Sequence, residues 1–356
     1  HPSTYAGLQE RLKALDKIIE MEPDVGWKLL LQLIPHSYDS CQINQKMLWR
    51  NVVEIGEQLS NTSSSNNEVE NRHEAIHDLV GKLLKHVGND AKKWADAIDL
   101  MSELPRSDRE QILSRLQKKV GKLNDPYNEL SEKIRIILSS HRSYPHKFWS
   151  ISEPELQKLE GIYTILQPND LVQQYSYLFN DFWPKIPAGL RVENENTEKR
   201  IEEFRVNAIR DVIGKIGLEG IITMASAVKY PHMIGNLISK VSLTREQEEY
   251  LLSLLTEQND NKIKLAKAYV HACAFEKGQG WVDEVLNSAG YENWGQEQIV
   301  NFFLALPENK IVWELVENVG KEISKEYWNK FQFQSLNLSN EELIYMLRML
   351  LTAGRA

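Results

Sequence analysis

Apolar residues recur at helical spacing along almost the whole chain. From Leu8 onward, Leu12, Leu15, Ile18 and Ile19 fall three and four apart on one helix face, while Glu10, Arg11, Lys13 and Lys17 fall elsewhere. The same spacing returns at Ile112, Leu113, Leu116, Val120 and Leu123, at Ile134, Ile137 and Leu138, and at Leu343, Met346, Leu347 and Leu350. Strand-like alternation is scarce. Phe331 to Leu336 is the best candidate, and no Asn-Gly or Asp-Gly hairpin turn bounds it. The pattern predicts an all-α protein.

Proline marks the joints, because it lacks the donor that a helix interior needs and restricts the residue before it. Helical patterns stop at Pro35, Pro105, Pro168 and Pro307 and mostly restart within a few residues. These stops predict helical hairpins joined by short turns. No tetratricopeptide or ankyrin consensus fits them, so the expected architecture is an irregular, α-solenoid-like array of helix pairs. Two stretches interrupt it. Asn61 to Asn67 is polar and of low complexity and predicts a loop, and Trp183 to Gly189 with Glu193 to Asn196 is rich in turn residues. A boundary placed at the second stretch divides the chain into helical subdomains 1–190 and 191–356, with a helix capped near Thr197 and Glu198.

Length and composition narrow the function classes. The 356 residues carry a net charge of −8, which argues against wholesale polyanion binding. The basic residues are unevenly spread, however. From Arg106 to Lys158 there are 11 Lys and Arg against 7 Asp and Glu, a net of +4 that leaves −12 on the rest. Two cysteines, Cys41 and Cys273, make no disulfide framework and fit a cytoplasmic setting; no apolar run is long enough to span a membrane. The ends, His1-Pro2-Ser3 and Gly354-Arg355-Ala356, read as those of a piece of a longer protein.

The sharpest catalytic motif is His73-Glu74-Ala75-Ile76-His77. On a helix, two histidines four apart can share a zinc ion while the glutamate activates water, as in metallopeptidases. Leu83 and Val80 occupy the places where an extended motif would carry its third histidine and glycine. The stripe Val69, Ile76, Val80, Leu83 and Val87 marks the inward face, which favours an ordinary amphipathic helix and no metal. Four Gly-Lys pairs lack the following Ser or Thr of a phosphate loop, and no Gly-x-Ser-x-Gly elbow occurs. No catalytic residue and no cofactor is expected.

Within the basic region, His141, Arg142, Tyr144, His146, Lys147 and Trp149 interleave cations with aromatics. Such a loop suits a protein partner, or a nucleic acid as the alternative, or it is packing that anchors neighbouring helices. The segment His1 to Pro35, the segment His141 to Trp149, Leu159-Glu160-Gly161-Ile162-Tyr163 and Tyr175 to Phe179 resemble a block in the helical C-terminal regions of large bacterial multidomain proteins of the STAND NTPase antiphage-defence type. The resemblance implies a non-catalytic sensor or scaffold whose effector or NTPase domain lies elsewhere, and phage or other foreign proteins as partners.

Overall fold

The computed structural model describes residues 8–34, 65–126, 128–191, 196–288, 290–333 and 338–355. They hold eighteen α-helices and no strand, with one isolated bridge between Asp90 and Asn124. The all-α expectation holds.

The described residues form two compact units. One comprises those up to Gln167 with Lys185–Arg191, and the other Pro168–Pro184 with those after Arg191. This differs from a single boundary at 190/191, because two short neighbouring segments are exchanged. The 185–191 strap is tied to the first unit by backbone contacts described below. Residues 168–184 instead carry a short helix that packs within the second unit.

The first unit contains α1 (Leu8–Met21), α2 (Pro23–Leu33), α3 (Ser65–His86), α4 (Ala91–Asp99), α5 (Arg106–Lys119), α6 (Glu129–Ser143) and α7 (Glu153–Leu166). Here α1 packs on α2 and α2 on α3. Beyond that, α3 packs on α5, α5 on α7 and α4 on α6, so alternate helices stack side by side in two layers. That is the stacking of a helical-hairpin array. Its core is continuous from Leu12 to Tyr163, with Trp94, Leu83, Leu116 and Leu138 fully buried. The stripe Ile76, Val80, Leu83 and Val87 faces inward. Helix α3 begins at Ser65, so Ser65, Asn66 and Asn67 are helical where the sequence predicts loop. Ser and Asn are favoured at a helix start, where their side chains can satisfy free N–H groups, and the apolar period that follows carries the helix. Asn61 to Ser64, Pro35 and Cys41 lie outside the described residues.

The second unit contains α8 (Leu171–Ser176), α9 (Thr197–Lys215), α10 (Leu218–Ala227), α11 (Pro231–Ile238), α12 (Arg245–Ser253), α13 (Asp260–Lys277), α14 (Gln279–Leu286), α15 (Gln296–Ala305), α16 (Lys310–Val319), α17 (Lys321–Lys330) and α18 (Asn340–Thr352). Helices α9, α11, α13, α15 and α17 stack in succession. The closest approach is α11 on α13, where a Cβ added at Gly235 would lie 2.3 Å from the Leu265 carbonyl oxygen and 2.7 Å from Ala268 Cβ. Glycine lets the two backbones meet.

Local sequence sets the ends. Pro105, Pro168 and Pro307 stand between helices as predicted. Ser152 with Glu155, Thr244 with Gln247 and Ser339 with Glu342 form reciprocal capping boxes at the starts of α7, α12 and α18. Thr197 is the first helical residue, preceded by Asn196 without a side-chain cap, although Glu198 does lie in the first turn. Of the strand candidate, Phe331 to Phe333 has no regular structure and Gln334 to Leu336 lies outside the described residues.

Candidate functional site

A groove of about 660 Å³ lies in the second unit. Its floor is apolar, with Ile201 of α9, Met233 and Leu237 of α11 and Ala272 of α13. Phe182, Trp183 and Phe275 stand at its edge, 53%, 38% and 80% exposed. Single exposed apolar side chains are ordinary on a protein surface; three large aromatics around one concavity form a patch of the kind that marks an interaction site.

The groove follows from helix lengths. Helix α11 has 8 residues and lies between α9 with 19 and α13 with 18. At 1.5 Å of rise per residue the short helix cannot cover its neighbours, and the lining extends past its end to Lys240.

The aromatic wall is held by backbone hydrogen bonds. Arg205 of α9 donates to the carbonyls of Leu178 at 2.8 Å, Asp181 at 2.7 Å and Phe182 at 3.2 Å. Burial lowers the Arg205 pKa, opposed by the charges of Asp181 and Glu202. From the other side, the Tyr230 N–H donates to the Phe179 carbonyl and the Lys229 N–H to Asn180 Oδ1 at 2.8 Å. The Phe182 ring lies 4.6 Å from that of Tyr230. An irregular segment fixed this way presents its rings in a set position, which reduces the ordering cost of binding. Around the rim, Lys240 pairs with Glu202, Ser239 Oγ donates to Glu276 at 3.1 Å, and Glu198 is exposed.

The sequence-predicted contact residues lie in the first unit and do not share one open face. His141 is 5% exposed; its Nδ1 accepts from the Ile151 N–H at 3.1 Å and its ring meets the Trp149 edge at 5.0 Å. Burial, then the charge of Arg109, lowers its pKa to about 4. The Arg142 side chain is 13% exposed and donates to Glu160, Glu153 and the Pro187 carbonyl. Tyr144 and Trp149 are half-buried with their rings 6.3 Å apart, whereas His146, Lys147 and Phe148 are exposed. Arg191 Nε donates to the Ser143 carbonyl at 2.6 Å, and Arg135 donates to that of Lys185. Gly189, at φ +72°, brings its backbone so close to Arg142 that a Cβ would sit 2.5 Å from the arginine Cβ. These contacts seat the 185–191 strap on α6, through Arg135, Arg142 and Ser143.

Most cations of the 106–158 region are likewise engaged. Arg109, Lys133, Arg135, Arg142 and Lys158 pair with carboxylates. Arg115 and Lys119 donate to the carbonyls of Leu84 and Gly88 at the C-terminal end of α3, where positive charge offsets the helix dipole. Arg106, Lys118, Lys122 and Lys147 have no such partner among the described residues.

In the HExxH motif, His73 and Glu74 are exposed, and His77 Nδ1 is hydrogen-bonded at 2.7 Å to Asp108 Oδ1, whose side chain is buried. No group of three or more His, Cys, Asp or Glu side chains able to hold a metal occurs among the described residues. Cys273 is fully buried, and burial raises its thiol pKa. No described helix is long and apolar enough to cross a membrane.

Sequence reasoning singled out Trp183 and its turn-rich surroundings but not the groove. The sequence signal available was a Phe-Trp pair before Pro184, too short for any period. Comparisons with models of protein families, with curated proteins and with solved structures find no match.

Proposed function

We propose that the chain is a non-catalytic protein-recognition module that receives a segment of a partner protein in the α9–α11–α13 groove. The observation that carries this reading is the aromatic edge of Phe182, Trp183 and Phe275 over an apolar floor, with the segment that ends in Phe182 held by Arg205. Large aromatics in a fixed concavity supply most of the energy in typical protein interfaces. The reading gives the loop at His141 to Trp149 a supporting role, since Arg142 and His141 are committed internally. A sensor role in a bacterial defence protein rests on the sequence resemblance alone.

The test is selection from a displayed library of random peptides against the whole chain. Enriched peptides should lose at least about tenfold in affinity, or about 1.4 kcal/mol, when Phe275 and Trp183 are changed to serine, with helical content unchanged. Peptides that bind both proteins equally would contradict the reading.

A further inference from the structure

Whether the groove favours one partner chemistry turns on its charges. Five ionised side chains line it: Glu198, Glu202 and Glu276 against Arg205 and Lys240. Both cations are engaged. The Arg205 guanidinium keeps its charge but gives its N–H groups to three backbone carbonyls, and Lys240 is paired with Glu202, so the lining sets three carboxylates against two cations that already have partners. That leaves Glu198 and Glu276. Glu198 lies exposed in the first turn of α9, and Glu276 accepts one hydrogen bond from Ser239 Oγ. His271 completes the polar lining beside Phe275 and Glu276.

Resting on the recognition reading above, we infer that the groove is specific for a basic amphipathic segment of a partner protein, one that sets a large apolar side chain on the Ile201, Met233, Leu237 and Ala272 floor and a flanking Lys or Arg against Glu198 and Glu276. An acidic segment meets a lining of net negative charge whose two cations already have partners, and like charges across an interface disfavour wrong partners. An anionic lipid surface is disfavoured for the same reason, despite the exposed aromatics. A helical segment suits the trough between helices, because anchors at i, i+3 and i+4 share one face.

The experiment uses the full chain and two short synthetic amphipathic peptides with the same Leu–Phe stripe, one flanked by lysines and one by glutamates. Affinities are read by fluorescence anisotropy. The lysine peptide should bind at least about tenfold more tightly than the glutamate peptide. The double variant Glu198→Lys, Glu276→Lys should reverse that order with little change in its thermal melt, because a lysine opposes the helix dipole in the first turn of α9 and complements it in the last turn of α13. Raising salt from about 0.1 M to about 1 M, which shortens the Debye length from about 10 Å to about 3 Å, should weaken the lysine peptide and, by screening the repulsion, strengthen the glutamate peptide. Equal affinities, or an order the charge reversal does not move, would overturn the inference. If that binding is still lost in Phe275→Ser, the recognition reading stands; if it is kept, that reading falls too. Binding of neither peptide overturns the charge assignment, and the library selection then decides the reading separately. Sedimentation with anionic phospholipid vesicles, or concentration-dependent dimerisation abolished by Phe275→Ser, would overturn the inference in favour of a membrane or a second copy.

Discussion

Arg142 holds Glu160 with two guanidinium nitrogens, at 3.0 and 2.9 Å, joining the last turn of α6 to α7. The same guanidinium donates to Glu153 and to the Pro187 carbonyl. The hydrogen bonds that Arg142 donates to Glu160 raise the arginine pKa against burial and lower that of Glu160. Arg142→Ala is therefore expected to destabilise the first unit by about 1 to 3 kcal/mol, the range for charge-assisted hydrogen bonds lost from a half-buried site. Urea denaturation checks this, with peptide binding in the second unit unaffected.

What the sequence reading could not reach at this point was the set of partners distant along the chain. Cations interleaved with aromatics look alike whether they face solvent or pack. The carboxylates that decide the matter, Glu153 and Glu160, lie 11 and 18 residues away. Helix periods and proline joints depend on near neighbours and were legible, as the buried Ile112, Leu113 and Leu116 show. The groove draws its lining from residues 182 to 276. Its outward Phe275 follows Ala272, Cys273 and Ala274 in a run with no polar face, so no period marks which side stays open.

Two of the glycines in helix interiors give opposite expectations. Gly235→Ala forces a methyl group to 2.3 Å from the Leu265 carbonyl and should cost about 1 to 3 kcal/mol. Gly81→Ala meets nothing within 4 Å and should stabilise α3 by about 0.5 to 1 kcal/mol. Chemical denaturation of both variants measures the contrast.

His141 gives the first unit an acid sensitivity. Its folded pKa of about 4 lies below the ordinary 6.5, so between these values the unfolded chain binds the proton that the folded one refuses. Its contribution is complete above about pH 6.5 and lost as pH falls toward 4, a loss of up to about 3 kcal/mol. His141→Asn, whose side-chain oxygen can accept from the Ile151 N–H as Nδ1 does, should flatten the stability curve in that window. Glu155 acts lower. Burial raises its pKa, but the stronger combined pull of Arg109 and Ser152 leaves it below 4.5, so its loss follows at more acid pH.

The two histidines of the HExxH motif should separate on mutation. His77→Ala leaves the buried Asp108 carboxylate without that partner and should cost about 1 to 3 kcal/mol. His73→Ala, at an exposed site, should change stability by less than about 0.5 kcal/mol. A shared metal would make both substitutions matter and would couple them in a double-mutant cycle, which is the check.

Hydrogen exchange with a library-selected peptide bound tests the central claim most directly, because it locates the contact without assuming it. The account predicts slowed exchange in residues 198–205 of α9, 233–240 at α11 and 271–276 of α13, with residues 141–149 unchanged. Protection confined to 141–149, with the groove segments exchanging as in the free protein, would contradict it.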